Sequence, residues 1–177
     1  MAMKVDLAMK FPSGVWTLYF HSLKEKRWTL DTFQKVGSAS TIAEALSIFR
    51  ELGDRLKRGM FFWMREPYPP LWENYQHIRG GSYSVRGGQE DGLELYKKYT
   101  LASMLNMCAT DENDIIMGVT ISPKVLGAPP NQRIGFYVIK IWNRDAATFN
   151  QNTGIHCLDV KTTSNEVLYT PHTQKNM

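Results

Sequence analysis

The 177-residue chain is predicted to form an α+β domain, in which a mostly antiparallel β-sheet carries helices on one face. Short segments rich in aromatic and β-branched residues alternate with two longer segments of helical periodicity. The helices are too few to cross over between every pair of strands, which favours antiparallel pairing. The sheet face opposite the helices would then be free for a ligand.

The first predicted strand covers residues 15–20, where Trp16, Leu18 and Phe20 share one side. A capping-box spacing over residues 41–44 starts an amphipathic helix, and Gly53 offers its stop. A short apolar strand is predicted over residues 60–64.

Three prolines after this strand forbid regular structure and predict a long loop over residues 68–81, which carries Trp72 and Glu73. A strand over residues 82–85 and a second amphipathic helix over residues 93–109 follow.

Two further strands are predicted over residues 115–121 and 133–142. Asn143 is positioned to cap a short helix, and residues 156–161 could pair as a final strand. The polar composition from Thr162 onward predicts a mobile tail.

The expected organisation is one folded domain over residues 14–161, between a flexible N-terminus (1–13) and the polar tail (162–177). A hydrophobic content of 43% with 12% aromatic residues is sufficient for a buried core. The net charge of +4 allows a phosphate-bearing partner without requiring one.

Cys108 and Cys157 show neither CxxC spacing nor a neighbouring histidine pair, so we expect free thiols and no metal. No apolar run is long enough for a membrane span or a signal peptide. We therefore expect the protein in the cytoplasm, with the nucleus as a second location, and we expect no membrane partner.

Signatures of the common enzyme classes are missing, including the phosphate loop, GxSxG and HExxH. The four histidines have no ligand spacing and are expected at the surface or at caps. The acids Asp111, Glu112 and Asp114 are expected in a solvated turn. The sequence thus predicts no enzyme and no cofactor.

Two Arg-Gly-Gly elements, at residues 79–81 and 86–88, resemble motifs that bind RNA in disordered tails. A strand-like segment lies between them. The better-supported interpretation is that these glycines turn the chain at the two ends of a strand, with direct RNA contact as the alternative.

Trp16, Trp63 and Trp142 are expected in the core, because tryptophan is large and apolar. Trp28 follows a run of charged residues, and Trp72 lies in the proline-rich loop beside an acid. Taken alone, each of these two is also compatible with a loop anchor that packs on the core.

Several motifs together resemble the eukaryotic translation initiation factor 4E family over about residues 14–150. They are Trp16-Thr17-Leu18-Tyr19-Phe20, Trp28, Leu71-Trp72-Glu73-Asn74, Arg79-Gly80-Gly81 and Trp142-Asn143-Arg144-Asp145-Ala146. The resemblance implies a curved antiparallel sheet with helices on its convex face and a cleft for the mRNA cap on its concave face.

The resemblance also assigns site residues. Trp28 and Trp72 would sandwich the 7-methylguanine of a capped mRNA, and Glu73 would bind the guanine edge. Lys124 and Arg133 would hold the triphosphate. The tryptophan that the family places near the methyl group corresponds to Tyr137 here.

On the helical face, the family binds the amphipathic helix of a scaffold like initiation factor 4G or of a 4E-binding protein. The corresponding positions are Ile42, Leu46, Lys98 and Ala102. Leu46 replaces a tryptophan that donates a hydrogen bond, and Lys98 brings a charge where an apolar contact is expected. Ile42 and Leu46 equally suit core positions of an amphipathic helix.

Physical chemistry agrees with this assignment, because methylation at N7 makes guanine cationic and the faces of two indoles attract a cation. Two alternatives stay open on the residues alone. An aromatic sandwich with an acid also suits a methylated lysine or a sugar, and a cap-processing enzyme would bind the same ligand.

Overall fold

The computed structural model describes residues 4–74, 77–148, 154–156, 158 and 167–173. Within these residues seven strands form one sheet, and all neighbouring strands pair antiparallel. They are β1 (Trp16–Ser22), β2 (Gln34–Ala39), β3 (Gly59–Arg65), β4 (Gly81–Gly87), β5 (Ile116–Leu126), β6 (Arg133–Asn143) and β7 (Leu168–Pro171). Their order across the sheet is β2-β1-β3-β5-β6-β4-β7.

Two α-helices, α1 (Ile42–Leu52) and α2 (Gly92–Met104), pack on one face of the sheet. Short 3₁₀ helices cover Leu30–Thr32, Gly53–Lys57 and Ala146–Thr148. None of the helices in the described chain is long and apolar enough to cross a membrane. The predicted α+β class, with a curved antiparallel sheet backed by helices, is confirmed.

The main core lies between the helices and the convex face of the sheet, where Trp16, Leu18 and Trp63 are fully buried. A smaller cluster on the concave face is built by Phe33, Phe62, Met64 and Trp142. Alternation along each strand supplies both clusters, because successive side chains point to opposite faces.

Helix α1 begins and ends where the sequence predicts. The Thr41 hydroxyl accepts a hydrogen bond from the Glu44 amide at 3.2 Å, and the Glu44 carboxylate accepts one from the Ser40 amide at 2.6 Å. Gly53 ends the helix with a φ of +46°. Helix α2 ends earlier than predicted, because Asn106 adopts a left-handed φ of +57°.

Strand β2 was not predicted, because its sequence is mostly polar and lacks an apolar alternation. It forms an edge of the sheet and pairs with β1 alone, so backbone hydrogen bonds rather than burial define it. Propensity gives little signal for such a strand.

Residues 7–13 pack against the domain, although the sequence predicts a flexible N-terminus over residues 1–13. The Phe11 side chain is buried, and its amide donates to the Ser40 carbonyl at 2.7 Å. The Ser13 hydroxyl donates to the Met104 carbonyl at 2.6 Å. Ordering of residues 7–13 therefore comes from contacts with α1 and α2 that lie far away in the sequence.

The C-terminal prediction is also corrected. Leu168–Pro171, placed by the sequence in a mobile tail, form β7 and pair with β4. Of the strand predicted over 156–161, His156 donates its amide to the Cys108 carbonyl beside an isolated bridge at Ile155. Residues 157 and 159–161 lie outside the described residues.

A buried polar network ties the strands at this end of the sheet. Asp114, expected in a solvated turn, is only 4% exposed and accepts hydrogen bonds from the Tyr83 hydroxyl at 2.6 Å and from the side-chain Nδ2 of Asn143 at 2.8 Å. The side-chain Oδ1 of Asn143 accepts a hydrogen bond from the Tyr169 hydroxyl at 2.7 Å. Asp145, not Asn143, caps the following 3₁₀ helix by accepting from the Ala147 amide.

Candidate ligand-binding pocket

The concave face of the sheet holds a cavity of about 280 Å³ between two loops and the central strands. Its lining combines aromatic, hydroxyl, basic and acidic side chains. These are Trp28, Met60, Phe62, Trp72, Glu73, Ser82, Thr120, Ser122, Lys124, Val138, Lys140, Trp142 and His172. Such a mixture of apolar walls and a few convergent polar groups is typical of ligand sites.

Trp28 enters the cavity from the loop after β1 and is 48% exposed, as its polar sequence context predicts. The buried His21 imidazole stacks on the indole, with ring centroids 4.1 Å apart and planes 4° from parallel. The His21 Nε2–H donates to the Arg27 carbonyl at 3.0 Å, which ties the imidazole to the residue before Trp28. One indole face is thus backed by a ring.

Trp72 enters from the proline-rich loop and is held from behind by two buried histidines. The His77 Nε2–H donates to the Pro69 carbonyl at 2.8 Å, and the His172 Nδ1–H donates to the His77 carbonyl at 2.7 Å. His172 lies 5.9 Å from Trp72 and 5.3 Å from Trp142, measured between ring centroids. The surface or capping position predicted for these histidines is wrong, because they link the loop to the sheet.

Burial lowers the pKa of His77, and its hydrogen bond to the Pro69 carbonyl opposes this shift. The imidazole also contacts Trp142 edge-on at 5.3 Å between ring centroids. The loop that carries Trp72 is therefore fastened by a neutral imidazole in an apolar environment.

Glu73 lies beside Trp72 in the cavity wall and is exposed to solvent. An accessible carboxylate next to an indole face can accept N–H donors from the edge of a base that stacks on that indole. The structure brings Trp28, Trp72 and Glu73 into one cavity, although 45 positions of chain separate Trp28 from Glu73.

Of the two predicted phosphate contacts, Lys124 lines the cavity and Arg133 does not. Lys124 projects from β5, is exposed and makes no ion pair with a described residue. Arg133 is the first residue of β6 and pairs with Leu126, closer to the turn of the β5–β6 hairpin than Lys124 is. It can contact only a ligand that extends beyond the cavity.

A β-bulge decides which face Arg133 occupies. Lys124 pairs with Phe136, whereas the next residue of β5 pairs with Ile134, so Gly135 is an extra residue on β6. The alternation of side chains is reversed there, and Ile134 packs on the helix-side core. Arg133 consequently faces the same side as Lys124.

Sequence reasoning missed several cavity residues. Lys140 and Val138 line the cavity from β6, and alternation from Trp142 could have found both. His172 had no sequence signal, because it reaches the cavity only through the pairing of β7 with β4. Tyr137, expected near the methyl group, is buried in the helix-side core, so Val138 and Trp142 form this part of the wall.

On the helical face the four predicted partner contacts differ in exposure. Ile42 is 7% exposed and belongs to the core, whereas Leu46 and Ala102 are half-buried and Lys98 is exposed. Leu46 and Ala102 pack against the rim of the core. Three of the four side chains are thus accessible to a partner.

Within the described residues, no group of three histidine, cysteine or acidic side chains is arranged to hold a metal ion. Burial raises the pKa of the Cys108 thiol to about 12, which keeps it protonated and unreactive at neutral pH. The pocket lining offers indole faces, hydroxyl groups, a carboxylate and ammonium groups, which suit stacking, hydrogen bonding and charge interactions.

Comparison with known families finds that the model for eukaryotic initiation factor 4E matches residues 13–176. No curated protein sequence matches the chain. Among solved structures, Caenorhabditis elegans eIF4E-3 in complex with the 4E-binding protein Mextli and a cap analogue has a TM-score of 0.67 at 15% identity, covering 94% of each chain.

Two parasite structures are also similar. Ascaris suum eIF4E-3 with the m2,2,7G cap has a TM-score of 0.59 at 18% identity, covering 78% of this chain and 76% of that one. Schistosome eIF4E with m7GpppA and 4E-BP has a TM-score of 0.58 at 16% identity, covering 75% and 70%. At these identities the similarity establishes the shared fold.

Proposed function

Because the chain belongs to the eukaryotic initiation factor 4E family, we propose that its pocket binds the 7-methylguanosine cap of mRNA. The observation that carries this proposal is the convergence of Trp28, Trp72 and Glu73 on one cavity whose sheet wall presents Lys124 and Lys140. These five side chains match the parts of a cap: a cationic base, its hydrogen-bonding edge and a triphosphate.

The base is recognised by the two indoles. Stacking contributes about 1–3 kcal/mol per base, and a desolvated cation–π contact adds about 2 kcal/mol. The sum is only part of the roughly 8 kcal/mol that corresponds to micromolar binding. Polar contacts must supply the rest.

Glu73 reads the identity of the base. Its carboxylate accepts two N–H bonds from the guanine edge, and such charge-assisted bonds contribute about 1.5–3 kcal/mol. Adenine lacks this pair of donors. The acid also lies beside a positively charged base, which adds attraction.

The triphosphate meets the basic side chains of the central strands. Lys124 and Lys140 line the cavity on neighbouring strands β5 and β6, and Arg133 faces the same side near the end of the hairpin. A methylated lysine or a sugar carries no phosphate that could pair with these cations. The lining therefore favours a phosphate-bearing ligand over those alternatives.

We further propose that the helical face binds a partner protein, through which the chain acts in translation initiation or its regulation in the cytoplasm. Similar proteins were solved with such partners, namely Mextli and 4E-BP. Leu46, Lys98 and Ala102 are the accessible side chains at the corresponding positions. We propose that this role is binding without catalysis, and the incubation described below tests it.

The test is tryptophan fluorescence titrated with 7-methyl-GTP and, separately, with GTP. We expect quenching by 7-methyl-GTP at much lower concentration, because only the methylated base is cationic. Equal affinities would overturn the cation–π assignment. Incubation with cap analogue and a divalent metal should give no new product, and hydrolysis would reveal an enzyme instead.

A further inference from the structure

An arginine and a phenylalanine form a stacked pair on the concave face, outside the cavity lining. The Arg86 guanidinium carbon lies 3.9 Å from the centroid of the Phe136 ring, well within the range of about 6 Å for a cation–π contact. Arg86 is exposed and makes no ion pair with a described residue, and Phe136 is half-buried. The pair is a planar cation supported on an aromatic surface.

Strand register places this pair directly beside the cavity. Arg86 on β4 is opposite Val138, and Phe136 is opposite Lys124 on β5. Val138 and Lys124 both line the cavity. Cross-strand neighbours on one face have Cβ atoms about 4.5–5.5 Å apart, so no other layer of side chains intervenes.

The side chains of β6 that point to the concave face form a row along the strand. From the Asn143 end of β6 toward the β5–β6 hairpin, they are Trp142, Lys140, Val138 and Phe136. Trp142 lies at the end of this row where His172 contacts both Trp142 and Trp72. Six residues of strand, about 20 Å, therefore separate the Trp142 end from the Arg86–Phe136 pair.

A ligand that places its methylated base at Trp72 and its phosphates at Lys140 and Lys124 continues toward this pair. The next chemical group along a capped RNA is the first transcribed nucleotide. Bases stack on guanidinium planes as well as on aromatic rings, and a guanidinium also attracts the phosphodiester that follows. Arg86 offers both interactions at one position.

Resting on the proposed cap-binding function, we infer that the Arg86–Phe136 pair is a subsite for the first transcribed nucleotide of a capped RNA. Its base stacks on the outer face of the Arg86 guanidinium, which Phe136 holds in place from below. Arg86 belongs to one of the two Arg-Gly-Gly elements, so its glycines shape the end of β4 while its arginine faces the RNA.

The experiment compares two ligands, 7-methyl-GTP and the dinucleotide analogue 7-methyl-GpppA, by calorimetry. We expect Arg86→Ala to weaken binding of the dinucleotide by about fivefold or more while 7-methyl-GTP changes less than about twofold. Arg86→Lys keeps the charge and loses the plane, so it should resemble Arg86→Ala. Phe136→Leu should give the same selective loss.

Arg58→Ala is the matched control, because it removes an exposed arginine from the helical side and should leave both ligands unchanged. Equal weakening of both ligands by Arg86→Ala would overturn the subsite, since Arg86 would then act on the triphosphate by charge alone. Unchanged binding of both ligands would overturn it as well. A wild type that binds neither ligand would instead refute the cap-binding function. Because Arg86 is exposed, its variants decide the question even if Phe136→Leu fails to fold.

Discussion

Trp28 and Trp72 reach the same cavity with different structural support. Trp28 is half-exposed and rests on one imidazole, whereas Trp72 is half-buried in a loop anchored by His77 and His172. An exposed side chain can be removed at little cost to the fold. Substitutions at the two positions should therefore have similar effects on ligand affinity and different effects on the stability of the fold.

Trp28→Ala is expected to reduce cap affinity by about 3 kcal/mol, roughly a hundredfold, through loss of one stacking face. Trp72→Ala should reduce affinity similarly and lower the melting temperature more. Calorimetry and thermal unfolding measure both effects, with the exposed neighbour Leu30→Ala as control. Unfolding of the Trp28 variant would show that this indole is a core residue.

Glu73→Gln tests how the base edge is read. We expect a loss of about 1–3 kcal/mol in binding of 7-methyl-GTP, because one acceptor remains while the charge and the second acceptor are lost. The exposed position of Glu73 predicts an unchanged melting temperature. Wild-type affinity in this variant would remove Glu73 from the site.

At the scale of elements, the proline-rich loop depends on an imidazole that must stay neutral. Burial holds the pKa of His77 below its ordinary value of 6.5. The unfolded chain therefore takes up this proton at a higher pH than the folded protein does. Protonation favours the unfolded state, so the contribution of His77 makes the free energy of unfolding fall as the pH drops below 6.5.

His77→Gln keeps an N–H donor for the Pro69 carbonyl and cannot titrate. We expect its free energy of unfolding to decline less between neutral and acidic pH than that of the wild type, by about 1.4 kcal/mol for each pH unit that separates the pKa of His77 in the folded protein from that in the unfolded chain. Urea denaturation across this pH range measures the difference. The exposed His156→Gln serves as control, and identical profiles for His77→Gln and wild type would contradict the argument.

The helices α1 and α2 carry both core and partner positions. Ile42→Ala should cost about 2–5 kcal/mol of stability, because it leaves a cavity under α1. Lys98→Leu should leave stability near that of the wild type, because the side chain is exposed.

For partner binding, Lys98→Leu should have the larger effect and Ile42→Ala the smaller. A peptide with the usual helical motif of the family should bind the wild type weakly and Lys98→Leu more tightly, because the substitution replaces an unmatched charge by an apolar contact. A variant peptide with an acid facing Lys98 should prefer the wild type. Calorimetry that finds tight binding of the usual motif, insensitive to Lys98→Leu, would show that this surface was misinterpreted.

At the scale of the whole molecule, the net charge of +4 is less informative than its placement. Lys124, Lys140 and Arg133 lie on the concave side, on the adjacent strands β5 and β6. A ligand with several phosphates should respond to them together.

7-Methyl-GTP should bind more tightly than 7-methylguanosine, and this advantage should shrink as salt rises from about 0.1 M to 1 M, over which the Debye length falls from about 10 Å to 3 Å. Lys124→Ala should flatten the salt profile, whereas Lys98→Ala on the opposite face should not. A flat wild-type profile would show that phosphates are bound elsewhere.

Elements with strong local signals were predicted well. The capping box and Gly53 defined α1, and the apolar segments predicted β1, β3, β5 and β6. Strand β2 and strand β7 were missed, since both are short edge strands of the sheet. The polar sequence of β2 shows no apolar alternation, and β7 is defined by its pairing with β4, far away in the chain, so neither has a local sequence signal.

The sequence by itself determined the fold class, the family resemblance and the three side chains proposed to contact the base, because these rest on periodicity and on motifs with fixed spacing. Tertiary structure alone decided that Lys140 and His172 reach the pocket, that Tyr137 does not, and that a bulge at Gly135 turns Arg133 to the concave face. Strand register sets these outcomes, since a shift of one residue reverses the face that a side chain occupies.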